Sequence, residues 1–296
     1  MLPTDAAALL ALYAEMSRES PAVAARTASF VERFAEYHAV AELAGVVVAR
    51  AALVRTPGMS TDTIAAGIGV TGSARRRGVG SALWTAMAGR VEEGTRWVLA
   101  FSDDRDDEAV LPFTRRHHLV PFQHSVTSAL DLGKATADPT PPVGVSVEVL
   151  EPWATADNAD IAELYAESDT SPDSAEIGAR SWADELVGAG EMGDQGLLVL
   201  LRRDGRLVAL SLAVEEDAAE WHVLYTGVRP EARGHGLATV AKQHLHRAAA
   251  ERGGRRAETD NEAGNAGIRR VNAALGYRDV KGTRRFRRDL LAQPLR

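Results

Sequence analysis

The sequence predicts a mixed α/β protein built as two similar domains in tandem. Three observations carry this expectation. At 296 residues the chain is about twice the length of a common domain. A strand–loop–helix pattern occurs twice at one spacing: Arg75 and Arg233 lie 158 residues apart, as do Val70 and Val228, and Gly78 and Gly236. Between the copies, residues 133–144 contain Pro139, Pro141 and Pro142 with little apolar content, the composition of a linker. The chain therefore divides into a first domain over residues 1–133, a linker over 134–145 and a second domain over 146–296.

In the first half, Ala6–Ser17 and Ala28–Tyr37 read as helices, the former capped by Thr4 or Asp5. Ala39–Leu43, Val46–Val54 and Thr63–Val70 read as strands, with Ala44-Gly45 as the first turn. A helix over Val79–Val91, a buried strand over Trp97–Phe101, an acidic loop at Asp103–Asp107 and a helix over Ala109–His117 follow. Leu119–Leu132 supplies one or two closing strands. In the second half, Ser146–Leu150 is a strand, and Asp157–Ser168 and Ile177–Val187 are helices. Leu197–Arg202 and Arg206–Val214 form a hairpin about Asp204-Gly205, and Glu220–Val228 is the next strand. Leu237, Val240, Ala241, Leu245 and Ala248 recur at helical spacing. Arg256–Thr259 is a strand, Asn265–Leu275 a helix stopped by Gly276, and Tyr277–Val280 with Thr283–Arg288 a closing strand pair.

Composition narrows the function. A net charge of −7 argues against a general nucleic-acid binder. The chain has no Cys, which removes disulfides, thiolate metal sites and a covalent Cys mechanism. The apolar run Ala8–Leu12 is short and flanked by Asp5 and Glu15, unlike a signal peptide. No apolar run approaches the roughly 20 residues that span a bilayer. A cytoplasmic protein, monomeric or homodimeric and without membrane or nucleic-acid partners, is expected.

The segment from Val228 to Ala238 concentrates the chemistry. The first amides of a helix lack intrahelical acceptors and point out of its N-terminus. With the helix dipole they form a site for phosphate. Gly234 and Gly236 place no Cβ in the way of a ligand. Arg233 and His235 add donors for an anion. The pattern Arg-x-x-Gly-x-Ala is neither the Walker sequence nor the dinucleotide fingerprint. In the other copy, Arg75, Arg76, Arg77, Gly78, Val79 and Gly80 make a comparable anion site.

With the paired loops, the element order and the segment Thr259-Asp260-Asn261-Glu262-Ala263-Gly264-Asn265 leading to Ala274-Leu275-Gly276-Tyr277, the chain resembles the GNAT superfamily of acyl-CoA-dependent N-acetyltransferases. It looks like a tandem, mycothiol-synthase-like member. The resemblance implies two GNAT-like domains, each a central mixed, mostly antiparallel sheet flanked by helices. It implies that acetyl-CoA is the co-substrate; no metal is expected. The amides of Arg233, Gly234, His235, Gly236, Leu237 and Ala238 would hold the coenzyme diphosphate. Gly227 and Val228 would pair with the pantetheine arm, and Asn265 would touch the coenzyme. A helix cap is the alternative role for Asn265. In the first half, Asp107 and His118 fall where Asn265 and Gly276 stand, so that domain reads as degenerate and non-catalytic.

The reaction implied is direct attack of a small-molecule primary amine on the acetyl thioester within a ternary complex. A Lys-like amine, with a pKa near ~10.4, must first lose a proton. The backbone N–H of Val228 would hold the oxyanion. His222 is the expected base by its ordinary pKa, with Glu220 as fallback. The family's acid position holds Asn272, which donates no proton; Tyr225 is the substitute if the strand bulges, because simple alternation puts it opposite His222. Glu167, Asp169, Asp173, Asp184 and Glu185, with Trp182, would wall the acceptor. His244 and His246, two apart on a helix, do not form a metal pair. The competing readings are a non-catalytic acyl-CoA-binding module and another acyl-CoA reaction, such as longer-acyl transfer or decarboxylation.

Overall fold

The computed structural model describes residues 10–15, 21–56, 59–134, 139–168 and 181–293. The chain is a mixed α/β protein of two compact units: Met1–His124 with Thr283–Arg296, and Ser125–Gly282. The proline-containing segment expected as a linker, residues 134–145, falls within the second of these units.

The first unit runs α1 (Pro21–Phe34), β1 (Ala35–Leu43), β2 (Val46–Val54), β3 (Thr63–Val70), α2 (Val79–Ala88), β4 (Trp97–Asp103) and α3 (Asp107–Arg116). Of the helix expected at Ala6–Ser17, residues 10–15 are helical and the rest lie outside the described residues. The helix expected to reach Tyr37 ends at Phe34. Tyr37, Ala39 and Ala41 instead alternate along β1 and pack with Ile64, Leu83 and Trp84. β1, β2 and β3 are antiparallel, and β3 lies parallel to β4.

The second unit contains β5 (Val120–Asp131, from Ser125), β6 (Val145–Leu150), α4 (Ala159–Ser168), α5 (Trp182–Met192), β7 (Gly196–Arg203), β8 (Arg206–Asp217), β9 (Glu220–Val228), α6 (Leu237–Glu251), β10 (Arg256–Glu262) and α7 (Ala266–Ala274). Its strand order is β5-β10-β9-β8-β7-β6, with β9 and β10 parallel and the other neighbours antiparallel. β11 (Arg278–Asp289) is one continuous strand rather than the expected pair. Its residues Thr283–Asp289 pair antiparallel with β4, while Ser125–Asp131 of β5 pair with β10. Each unit thus takes a strand from the far half of the chain.

The second unit's sheet is buried on both faces, which is why β7 reads as a nearly unbroken apolar run. Leu197, Val199, Leu201, Trp221 and Val223 pack against Leu237, Ala241 and Leu245 of α6. Leu198, Leu200, Leu210 and Leu212 pack against Ile161 and Leu164 of α4 and Trp182 and Leu186 of α5. A reciprocal Ser181–Asp184 capping box starts α5, so the expected start at Ile177 falls outside the described residues. Among the described residues no helix is long and apolar enough to cross a membrane, and no cluster of three or more His, Asp or Glu has metal-holding geometry.

Candidate functional site

β9 delivers the chain into a tight turn over Pro230–Ala232, and Gly236 then starts α6. Gly234 and Gly236 have φ of 80° and 74°, which a side chain adopts only at a cost. A Cβ on either would meet nothing within 4 Å, so the space before the helix is open. The amides of residues 234–239 find no acceptor among the described residues. Six unpaired donors at the end of a 15-residue helix are what a diphosphate requires. Arg233 does not reach outward with its Nε, which donates to the Val228 carbonyl at 3.2 Å. His235 turns back as well, with Nδ1 2.9 Å from the Arg233 carbonyl.

The first loop repeats this geometry bond by bond. The Ala232 N–H to Arg229 carbonyl bond of 2.9 Å corresponds to Ala74 to Thr71 at 3.0 Å. Arg75 Nε reaches the Val70 carbonyl at 3.1 Å, as Arg233 reaches Val228. Arg76, at φ 61°, takes the left-handed position of Gly234, and Gly78, at 83°, that of Gly236. His118 likewise adopts φ 56° where Gly276 has 94°, so this sequence departure keeps the backbone. The difference lies in side chains. Arg75 pairs with Asp106 at 3.1 Å and Arg76 with Glu108 at 3.0 Å, at the start of α3. Asp107 is held by Arg284 at 2.8 Å and is not an uncompensated charge facing a phosphate.

β9 and β10 are paired only from Glu220–Arg256 to His222–Glu258. The Thr259 hydroxyl still reaches the Val223 carbonyl at 3.0 Å, and beyond that point the strands part. Their facing edges there carry no ladder between them. The Arg229 N–H donates to Val208 on β8 at 3.0 Å. Successive N–H groups of a strand point to opposite edges, so the Val228 N–H faces the gap. Across from it, β9 shifts register against β8: Leu212 pairs with Tyr225 and Ala213 with Val223, leaving Leu224 extra. This bulge puts Leu224 and Tyr225 on one face, both packed toward α4 and α5. The condition under which Tyr225 joins the face of His222 is therefore met. Its hydroxyl lies 2.8 Å from Ser168 Oγ and 3.4 Å from the Tyr165 carbonyl.

His222 is buried, with Nε2 3.1 Å from Asp260 Oδ2. Nδ1 lies 3.4 Å from Glu216 Oε2, at ion-pair range without an aligned hydrogen bond. Burial opposes protonation of the ring, yet the two carboxylates outweigh it and raise the pKa to about 9. The pair of carboxylates thus favours the imidazolium form of His222. Asp260 also accepts from the Thr127 hydroxyl. Glu220 is exposed at the start of β9, eight residues from Val228 or about 26 Å along an extended strand, and the fold does not bring it to the gap.

The acceptor wall is also revised. Arg229 is buried and donates to the Leu207 carbonyl at 2.8 Å, to Glu163 at 2.9 Å and to Glu167 at 2.5 Å. Glu167 is therefore committed to anchoring α4, Asp184 caps α5, and Glu185 accepts from the Tyr165 hydroxyl at 2.9 Å. Asp169 and Asp173 lie outside the described residues. Trp182 is buried and donates to the Thr155 carbonyl at 3.1 Å. Arg229→Met removes all three bonds and is expected to lower stability by about 2 kcal/mol in urea denaturation. An unchanged midpoint would mean that α4 is held without it. Asn265 takes the capping role, its side chain accepting from the Ile268 N–H at 3.3 Å. His246 is buried 2.7 Å from the Tyr277 hydroxyl, apart from His244.

Residues 144–267 match the family model described as an acetyltransferase (GNAT) domain. The whole chain also resembles solved structures. A tandem GNAT protein from the clavulanic acid biosynthesis pathway shares 19% identity over 96% of this chain and 94% of that chain, with a TM-score of 0.71. A GCN5-related N-acetyltransferase from Sphaerobacter thermophilus shares 18% over 98% and 94%, at 0.72. A glucosamine N-acetyltransferase region of a fungal multi-domain GH3 beta-N-acetylglucosaminidase shares 15% over 96% of this chain and 37% of that chain, at 0.71. Identities this low speak for the fold alone. A search of curated proteins found no match. The stretch that matches the family model lies within the second unit. The chain as a whole has the tandem GNAT fold.

Proposed function

We propose that the second unit transfers acetyl from acetyl-CoA to the primary amine of a small molecule by direct attack in a ternary complex. The observation that carries this reading is the row of unpaired amides over residues 234–239 beside the parted edges of β9 and β10. The amides suit the diphosphate, and the gap suits the extended arm. Gly227 and Val228 flank the gap, and the Val228 N–H donates to the thioester oxygen as negative charge develops there. The amine reaches this point from the α4–α5 face. Its proton goes to solvent rather than to His222, which is already protonated. The chain's own contribution is then orientation and oxyanion stabilisation. The first unit, with Arg75 and Arg76 tied to carboxylates, serves the second and holds coenzyme weakly.

One observation favours a second reading. Asn272 occupies the acid position and His222 is protonated, which fits a module that binds acyl-CoA without turnover. The two readings separate when the protein is incubated with acetyl-CoA and a panel of amino sugars and amino acid amines while free thiol is followed. Calorimetric binding with no thiol release on any amine would leave the binding module. A mycothiol-synthase-like substrate is a narrower version that rests on tandem architecture. Gly227→Ala provides an internal check. A Cβ there would sit 2.5 Å from Ser168 Oγ and 2.7 Å from Tyr225 Cε1. Turnover is expected to fall about tenfold, the equivalent of ~1.4 kcal/mol of lost positioning. Full activity would remove the arm from this edge.

A further inference from the structure

Lys242 on α6 is fully buried, and no carboxylate among the described residues pairs with it. Its Nζ donates to Asn272 Oδ1 at 2.6 Å, and the ring of Tyr277 lies 4.8 Å from it. Asn272, also buried, donates Nδ2 to Asn261 Oδ1 at 2.5 Å. This chain has a direction. Lys242 is the donor, and Asn272 turns its oxygen to it and its NH2 away. Asn261 must then turn its oxygen to Asn272. Its own NH2 is left over, with no partner among the described residues. Asn261 is half-buried, the solvent-reaching end of an otherwise buried chain.

The place where the chain ends matters. Asn261 lies on β10 two residues past Thr259, whose hydroxyl makes the last bond to β9 before the strands part. Thr259 and Asn261 share one face of β10, and Asn261 belongs to the stretch of that strand past Glu258 that has no ladder partner on β9. The first unit lacks the device. At the same 158-residue spacing its counterparts are Trp84, Thr114 and Asp103. Trp84 packs on Phe113 and His117, and the Thr114 hydroxyl donates to its own helix at Leu111. A buried lysine costs folding free energy. Burial lowers its pKa to about 7. The second unit bears this cost where its copy uses tryptophan.

We propose that Asn261 is a binding residue of the second unit, donating its NH2 to a carbonyl oxygen of the acyl-pantetheine arm, and that Lys242 and Asn272 are positioning residues that keep that NH2 turned into the gap. The proposal rests on the coenzyme reading of this site. It also gives Asn272 a task that a proton donor at that position does not have.

The test titrates acetyl-CoA and its arm-less nucleotide fragment, 3′-phospho-ADP, into full-length variants by calorimetry. Asn261→Ala is expected to weaken acetyl-CoA about tenfold and leave the fragment unchanged, the loss of one hydrogen bond. Lys242→Met is expected to give the same selective loss from a residue that never reaches the arm. Asn272→Asp distinguishes positioning from folding. Its carboxylate accepts from Lys242 and from Asn261, so Asn261 flips and presents its oxygen to the arm. That variant should melt no lower than wild type and still lose acetyl-CoA affinity selectively. Wild-type affinity for acetyl-CoA in both Asn261→Ala and Asn272→Asp would overturn the proposal, as would equal loss of both ligands. If the unaltered protein binds neither ligand, it is the coenzyme reading that falls.

Discussion

Gly236→Glu is expected to abolish acetyl-CoA binding to the second unit. Three effects act together. A non-glycine residue at φ 74° costs about 1–2 kcal/mol of backbone strain. Its side chain enters the open space before α6, where the ligand must lie. Its carboxylate repels a diphosphate by a further 1 kcal/mol or more at roughly 4 Å, even in water. A combined loss of about 3 kcal/mol corresponds to an affinity at least ~100-fold weaker by calorimetry. Gly78→Glu makes the same change in the first loop. Because Arg75 and Arg76 there are already paired with Asp106 and Glu108, it is expected to leave thiol release intact. Retained coenzyme affinity in Gly236→Glu would mean that the amides over 234–239 hold something else.

The second large effect concerns pH. His222 has a folded pKa of about 9 against an ordinary 6.5, so folding takes up a proton through this window. The sign follows from that. The stabilisation is complete below about pH 6.5 and is lost as pH rises through 9. At 1.36 kcal/mol per unit it amounts to about 3 kcal/mol, trimmed by solvent screening because Asp260 is half exposed. Lys242 acts oppositely. Its pKa is lowered from 10.5 to about 7, so its burial penalty fades as pH rises from about 7 to 10.5. The wild-type profile alone therefore mixes two slopes. The measurement is the difference in urea-unfolding free energy between wild type and His222→Gln, large at pH 6 and vanishing above pH 10. A difference that does not change with pH would show that His222 is neutral throughout, and its role as a base would reopen.

The loops were the most legible part. Thr63–Val70 and Glu220–Val228 are strands with the expected bounds, and both feed glycine turns into helices. The offset of 158 holds in hydrogen bonds as well as in residues. Asn261, by contrast, carries no mark inside its motif that sets it apart from its polar neighbours. The available signal was Lys242, a charged residue on the apolar stripe of α6 beside Ala241 and Leu245. A lysine there asks for a buried acceptor, and Asn272 supplies it.

The tandem repeat, the glycine turns and the donors at the helix starts are legible in the residues alone. Those depend on φ preference, apolar spacing and unpaired amides, all of which are properties of short stretches. Which unit receives β5 and β11, whether β9 bulges at Leu224, and which carboxylates surround His222 emerge from long-range packing. Strand edges of similar pattern compete for the same partners, and a ring's protonation is set by carboxylates such as Glu216 and Asp260, which become its neighbours only when β8, β9 and β10 come together.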